Sequence, residues 1–170
     1  VLIPALSYKG EYSDPIRINV EDTATTEPEK SEHFFFEVEV SSGTHYVQEQ
    51  LLYIERMYYT VNHDDASLSE FEVANARVQP LMDPKKHITV VDGQRIGVYE
   101  RRYAIFPESS GTLVIPGQRF TARVTDRYNR FRGSAETIVS KPIELTINPI
   151  PDSYPQAPWI PASRFVLEET

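Results

Sequence analysis

The sequence predicts an all-β chain, and three observations predict it. Thirteen prolines against seven glycines cut the 170 residues into short segments that suit helices poorly. Ten Tyr and eight Phe favour pleated, half-buried surfaces. Most of the chain also alternates apolar and polar residues with period two, the pattern of strands with one face in a core and the other in water.

The elements follow in order. Ile16, Ile18 and Val20 alternate with Arg17 and Asn19 in a first strand. The acidic stretch Glu21–Glu32 has no apolar period and reads as a linker. Phe34, Phe36, Val38 and Val40 then share one face, with Glu37 and Glu39 on the other. The mixed runs Leu51–Val61 and Arg95–Phe106 are rich enough in aromatic and β-branched residues for central strands, with room for a bulge. Ser67 and Glu70 offer the two halves of a capping pair, enough for one helical turn over Ser67–Phe71. Asp92-Gly93 joins two β-rich runs and predicts a tight hairpin, because both central residues must reach positive φ. Phe120, Ala122 and Val124 face away from Thr121 and Arg123, and Ile143, Leu145 and Ile147 away from Glu144 and Thr146.

A repeat underlies this order. Val1-Leu2-Ile3-Pro4 aligns with Leu113-Val114-Ile115-Pro116, and Ser13–Val20 aligns with Ser140–Ile147. The interval from proline to serine is 15 residues longer in the second copy, Pro116–Ser140 against Pro4–Ser13, and the stretch 125–136 is the place for the excess. The same elements in the same order predict tandem domains of one type. Residues 1–22 are then the last strands of a preceding domain, and the chain is expected to be a piece of a longer protein. Residues 23–30 form a linker and residues 31–150 a complete unit. Residues 151–170 form a proline-rich connection to a following domain. Seven or so short strands with regular turns predict an immunoglobulin-like β-sandwich for the complete unit.

Composition narrows the function. The formal net charge of −8 disfavours nucleic acid, which needs clustered Lys and Arg, and gives no pull toward an anionic membrane surface. The absence of Cys removes disulfides, thiol catalysis and thiolate metal sites. No run approaches the roughly 20 apolar residues of a membrane span.

No stretch carries an enzyme signature. G-x-S-x-G, H-E-x-x-H, Walker and G-x-G-x-x-G patterns are all missing, so no catalytic residue, metal or cofactor is expected. His33, His45, His63 and His87 lack ligand spacing and read as surface or turn histidines. Asn62, Asp64, Asp65, Ser67 and Glu70 concentrate oxygen donors suited to Ca²⁺, but without the spacing of a calcium loop they read as a solvated loop. Arg127, Tyr128, Arg130, Phe131 and Arg132 interleave aromatic and basic side chains within the extra segment of the second copy. A bare flexible loop is the simpler reading there. As an interaction site it is the first choice, since Tyr and Arg dominate binding hot spots. In Glu100-Arg101-Arg102-Tyr103 the charges lie inside a strand. Alternation places Arg101 with Tyr99 and Tyr103, and Glu100 with Arg102, so cross-strand ion pairs account for them without catalysis.

Together, "HYVQEQLLYIERMYY", "ERRYAIFPESSGTLVIPGQRF", "SKPIELTINPIP" and "YPQAPWIPASRFVLEE" resemble the BatD family, named for Bacteroides aerotolerance. Glu100, Arg101, Arg102, Tyr103, Phe106 and Pro107, followed by Gly111 and Pro116, carry the likeness most specifically, and Trp159 supports it. The resemblance covers nearly the whole chain and is weakest at 62–72 and 126–136. It implies a bacterial periplasmic protein of several immunoglobulin-like domains, anchored in the inner membrane near its C-terminus. It implies partners of the same operon, a MoxR-type ATPase and membrane proteins with von Willebrand A or tetratricopeptide domains, and a link to oxygen tolerance. It brings no catalytic or ligand motif, and the named residues read as structural. The expected function is a non-enzymatic interaction or scaffold domain. The alternative is a module that binds an envelope glycan or peptide.

Overall fold

The computed structural model describes residues 31–125, 133–154 and 158–162, together with the backbone pairing of four two-residue strands nearer the N-terminus. The described residues contain strands and no helix, so none is long and apolar enough to cross a membrane.

The four short strands are β1 (Leu2–Ile3), β2 (Ser7–Tyr8), β3 (Glu11–Tyr12) and β4 (Ile16–Arg17). β1 pairs with β4 and β2 with β3, both antiparallel.

One five-stranded antiparallel sheet forms the first layer. Its path is β10 (Lys85–Val91), β11 (Gln94–Pro107), β7 (Leu51–Tyr59) and β5 (Phe34–Val40). β9 (Ala76–Pro80) shares the flank of β11 with β10, pairing Tyr103–Pro107 while β10 pairs Gln94–Glu100. The expected central strands are central, and the β11–β7 register runs from Gly97↔Tyr59 to Ile105↔Leu51 without a bulge. Asp92 and Gly93 close the β10–β11 hairpin at φ 52° and 77°, the left-handed pair that the Asp-Gly sequence favours.

Two three-stranded sheets face this layer. One holds β12 (Gly111–Ile115), β15 (Ile143–Asn148) and β6 (His45–Tyr46), with β6 parallel to β15. The other holds β14 (Ala135–Val139), β13 (Arg119–Val124) and β8 (His63–Leu68), with an irregularity between Thr121 and Arg123. Two bends join them, at Pro116-Gly117-Gln118 and at Ser140-Lys141-Pro142, where the Ser140 N–H donates to the Gln118 carbonyl at 2.9 Å. A Cβ on Gly117 would collide with the Ser140 carbonyl oxygen, so this close crossing admits only glycine. The prolines interrupt the ladder because they cannot donate to it. That is why two long hairpin arms become four strands, which accounts for two of the four by which the eleven described strands β5–β15 exceed the seven or so expected.

The layers meet in two apolar clusters. Leu51, Tyr53 and Ile105 pack with Leu113, Ile115 and Ile147, and Phe71 stacks between Tyr53 and Tyr103 at 4.3 and 4.4 Å. Phe34, Phe36 and Met57 pack with Phe120, Ala122 and Ile138. The alternation expected of β5, β13 and β15 is thus met: Phe34, Phe120 and Ile147 point inward, while Glu37, Arg123 and Glu144 are exposed. No helical turn forms over Ser67–Phe71. β8 pairs through Leu68 with Phe120, and the ladder outcompetes the cap.

The sequence repeat has a backbone counterpart. The pairs Leu2↔Arg17, Ile3↔Ile16, Ser7↔Tyr12 and Tyr8↔Glu11 correspond, position by position in the alignment, to Val114↔Glu144, Ile115↔Ile143, Arg119↔Val139 and Phe120↔Ile138. The extra residues of the second copy enter after Phe120. Thr121↔Thr137, Ala122↔Glu136 and Arg123↔Ala135 lengthen that hairpin before its tip.

Candidate functional site

The long strand β11 sorts its charges by face. Arg101 points inward with Tyr99 and Tyr103, opposite Glu55 of β7, while Glu100 and Arg102 point outward, opposite Arg56 and Ile54. Each face carries its own polar network.

The inner network lies between the two apolar clusters. Arg101 donates from Nε and Nη2 to Glu55 Oε2 at 2.8 and 2.6 Å, and from Nη1 to the Ser69 carbonyl at 2.9 Å. Ser69 Oγ donates to Gln118 Oε1 at 2.9 Å, and the Gln118 amide reaches the Pro116 carbonyl at 3.1 Å. Ser140 Oγ accepts from the Gln118 N–H at 2.8 Å. The ion pair is therefore tied to both bends of the opposing layer. Glu55 is 1% exposed and its Oε1 has no hydrogen-bond partner among the described residues. Burial pushes its carboxyl above the ordinary range, and the Arg101 guanidinium, by charge and hydrogen bond, offsets this without cancelling it. Every donor nitrogen of Arg101 is engaged within the protein, which suits it to holding the layers in register.

The outer network is half-exposed. Arg56 bridges Glu37, Glu39 and Glu100 at 3.2, 2.7 and 2.7 Å, and Arg102 Nε donates to Glu100 at 2.8 Å. Tyr58 donates to Glu37 at 2.5 Å and stacks on Phe35 with centroids 4.5 Å apart. Burial and the Glu37 carboxylate push the Tyr58 hydroxyl up to about 12. Burial alone would raise the Glu100 carboxyl, but the hydrogen bonds and charges of Arg56 and Arg102 outweigh it and hold the group low. A depressed folded value stabilises the fold above the ordinary value of 4.5, and that stabilisation disappears as pH falls through the depressed value. The wild type is thus expected to lose more stability than Glu100→Gln between about pH 5 and about pH 3 in denaturant titrations. Equal losses would remove Glu100 from the acid response.

A lateral cleft of about 240 Å³ opens where β8 and β10, the edges of facing sheets, diverge. Met57, Leu68 and Phe120 line it together with Tyr59, His63, Tyr99 and the paired Arg101, and Lys86 stands over the Tyr99 ring at 5.7 Å. His63 is packed edge-on against Phe34 and Tyr59, with centroids at 5.4 and 4.7 Å. Gly97 leaves room for the Tyr59 ring of the cleft, which lies where a Cβ would be.

The histidines divide, and one corrects the expectation. His45 is a core residue, 4% exposed, not a surface or turn residue. Its Nε2 lies 3.0 Å from the Ser41 carbonyl, because β6 is drawn under the layer by its parallel pairing with β15. His33 lies 2.7 Å from Glu136, and His87 is exposed on β10. Asn62–Glu70 is β8 over most of its length, and its Asp65 approaches Arg123 at 3.4 Å. Among the described residues no cluster of His, Asp or Glu could hold a metal ion. The basic-aromatic stretch Arg127, Tyr128, Arg130, Phe131 and Arg132 lies outside the described residues.

The remaining residues singled out by sequence scatter over the fold. Phe106 lies 4.6 Å under the Arg77 guanidinium, and the buried Pro107 accepts from the Gln48 N–H at 2.8 Å. Gly111 opens β12 at φ 116°, and the Pro116 carbonyl serves Gln118. Trp159 donates from its indole to the Val47 carbonyl at 2.8 Å and packs edge-on against Tyr46 and Tyr154. This holds the segment around Trp159 beside β6 and forms a groove lined also by Thr44, Glu49 and Gln50. Sequence reasoning missed the Glu55–Gln118 network and the cleft, which depend on pairings between distant segments. A signal for the first existed: Glu55 sits in the inward phase of Leu51, Tyr53, Met57 and Tyr59. Comparison of the chain with protein-family models, with curated proteins and with solved structures finds no match.

Proposed function

We propose that the chain is a non-enzymatic interaction module of a membrane-anchored periplasmic protein of the BatD type, built from tandem immunoglobulin-like domains. One observation supports the binding reading above others. The inward charges Glu55 and Arg101 are paired with each other, whereas the cleft between β8 and β10 leaves aromatic groups and Lys86 open beside a strand edge that carries no further strand among the described residues. That arrangement offers aromatic faces and a cation for recognition, and no cluster of His, Asp or Glu among the described residues could hold a metal ion. The tandem reading is supported by the four matching backbone pairs of the two repeat copies. The family, the periplasmic location and a von Willebrand A partner rest on the sequence resemblance.

The test is a titration of the whole chain with the soluble von Willebrand A domain encoded beside its gene, with and without Mg²⁺. Saturable binding in the micromolar range is expected for a transient envelope contact, about −8 kcal/mol. No association at low salt would sink the direct-partner reading. It would turn attention to the Trp159 groove, where the Tyr46 and Trp159 rings beside Glu49 and Gln50 suit a glycan.

A further inference from the structure

The free flank of β10 carries no strand among the described residues. Edge strands are normally blunted by proline, by bulges, by brevity or by distributed charge. β10 has none of these over its apolar half. It is seven residues long, and its register with β11 is unbroken from Lys85↔Glu100 to Val91↔Gln94. Ile88 is 59% and Val90 64% exposed, and Val91 is exposed as well. Lys86, Ile88 and Val90 lie on the cleft face, opposite Tyr99, Gly97 and Arg95, while Lys85, His87 and Thr89 lie on the other.

Charge selects the occupant. The chain carries a formal net charge of −8, yet Lys85, Lys86 and His87 are consecutive, and no ion pair engages them among the described residues. A strand laid along β10 would point alternate side chains into the cleft, beside the apolar Met57, Leu68 and Phe120. Its other side chains would lie beside Lys85 and His87. We propose that β10 accepts an extended peptide of a partner protein that alternates apolar and acidic residues, held by main-chain hydrogen bonds as an added strand. Apolar side chains enter the cleft, and carboxylates meet Lys85 and His87 on the opposite face. This rests on the interaction reading above and specifies its surface and the chemistry of its partner.

The probe is a fluorescein-labelled, end-blocked hexapeptide alternating Val or Phe with Glu, titrated into the whole chain with anisotropy and backbone amide shifts as readouts. Saturation in the micromolar range is expected, with the largest shifts on β10. A Lys-for-Glu peptide, and the protein variant Lys85→Glu/Lys86→Glu, should each bind at least about tenfold more weakly. Ile88→Ser leaves charge unchanged and should also weaken binding, with melting curves confirming that both variants fold. No saturation by about 1 mM, equal affinity for the Lys peptide, or shifts confined to other strands would overturn the proposal. So would a concentration-dependent dimer abolished by Ile88→Ser, which would make a second copy the occupant. Peptide binding without von Willebrand A binding would leave this surface standing and remove only that partner.

Discussion

Arg101→Met is expected to lower the unfolding free energy by about 3–5 kcal/mol, because it strands the buried Glu55 carboxylate between two apolar clusters. Glu55→Leu should cost a similar amount by leaving the guanidinium uncompensated. The double variant should regain most of the loss, since two apolar side chains of similar volume fill the site without any charge to desolvate. Denaturant titrations of the four proteins measure the cycle; losses that simply add would show that the two groups act independently. The pH dependence has a definite sign. The Glu55 carboxyl is already raised by burial, and removing Arg101 takes away the group that pulls it down. The folded state then holds the proton more tightly than the unfolded chain, so stability falls as pH rises from the ordinary value of 4.5 through the raised one. The Arg101→Met deficit should accordingly be smaller near pH 5 than near pH 8. A deficit independent of pH would mean that Glu55 does not become an orphaned charge.

The same pair shows what was legible in the sequence. Two opposite charges, Glu55 and Arg101, each sit in the apolar phase of a long strand, between Tyr53 and Met57 and between Tyr99 and Tyr103. Faces follow from period two alone, so the split of Glu100-Arg101-Arg102-Tyr103 between faces was readable. Partners do not follow from it: that Arg101 meets Glu55 requires the β11–β7 register, set by residues 46 positions apart. The Asp92-Gly93 turn was readable because its geometry is local. The burial of His45 was not, because a two-residue parallel pairing with β15 leaves no periodic trace. The cleft was hidden for the same reason. Lys85–Val91 reads as a hairpin arm, but only the strand order shows it to be the sheet edge beside β8. The repeat was visible as two short matches, and equivalent backbone pairs give those matches a common geometry.

Three consecutive phenylalanines open β5, and their effects should differ sharply. Phe34 is fully buried, 5.1 Å from the Phe120 ring and 5.4 Å from His63. Phe34→Ala should cost about 3–5 kcal/mol, the transfer free energy of the ring plus the cavity left in the second cluster. Phe36→Ala, in the same cluster, belongs in the same range. Phe35 faces the other way and stacks on Tyr58 at the half-exposed outer face. Its truncation removes one ring–ring contact, about 0.5–1.5 kcal/mol, and opens no cavity in the core. Urea titrations of the three variants therefore read the face of β5 directly. A one-residue slip in the β5–β7 register would move Phe35 into the core, so a large loss for Phe35→Ala with small ones for its neighbours would refute the pairing Phe34↔Tyr59 and the sandwich core built on it.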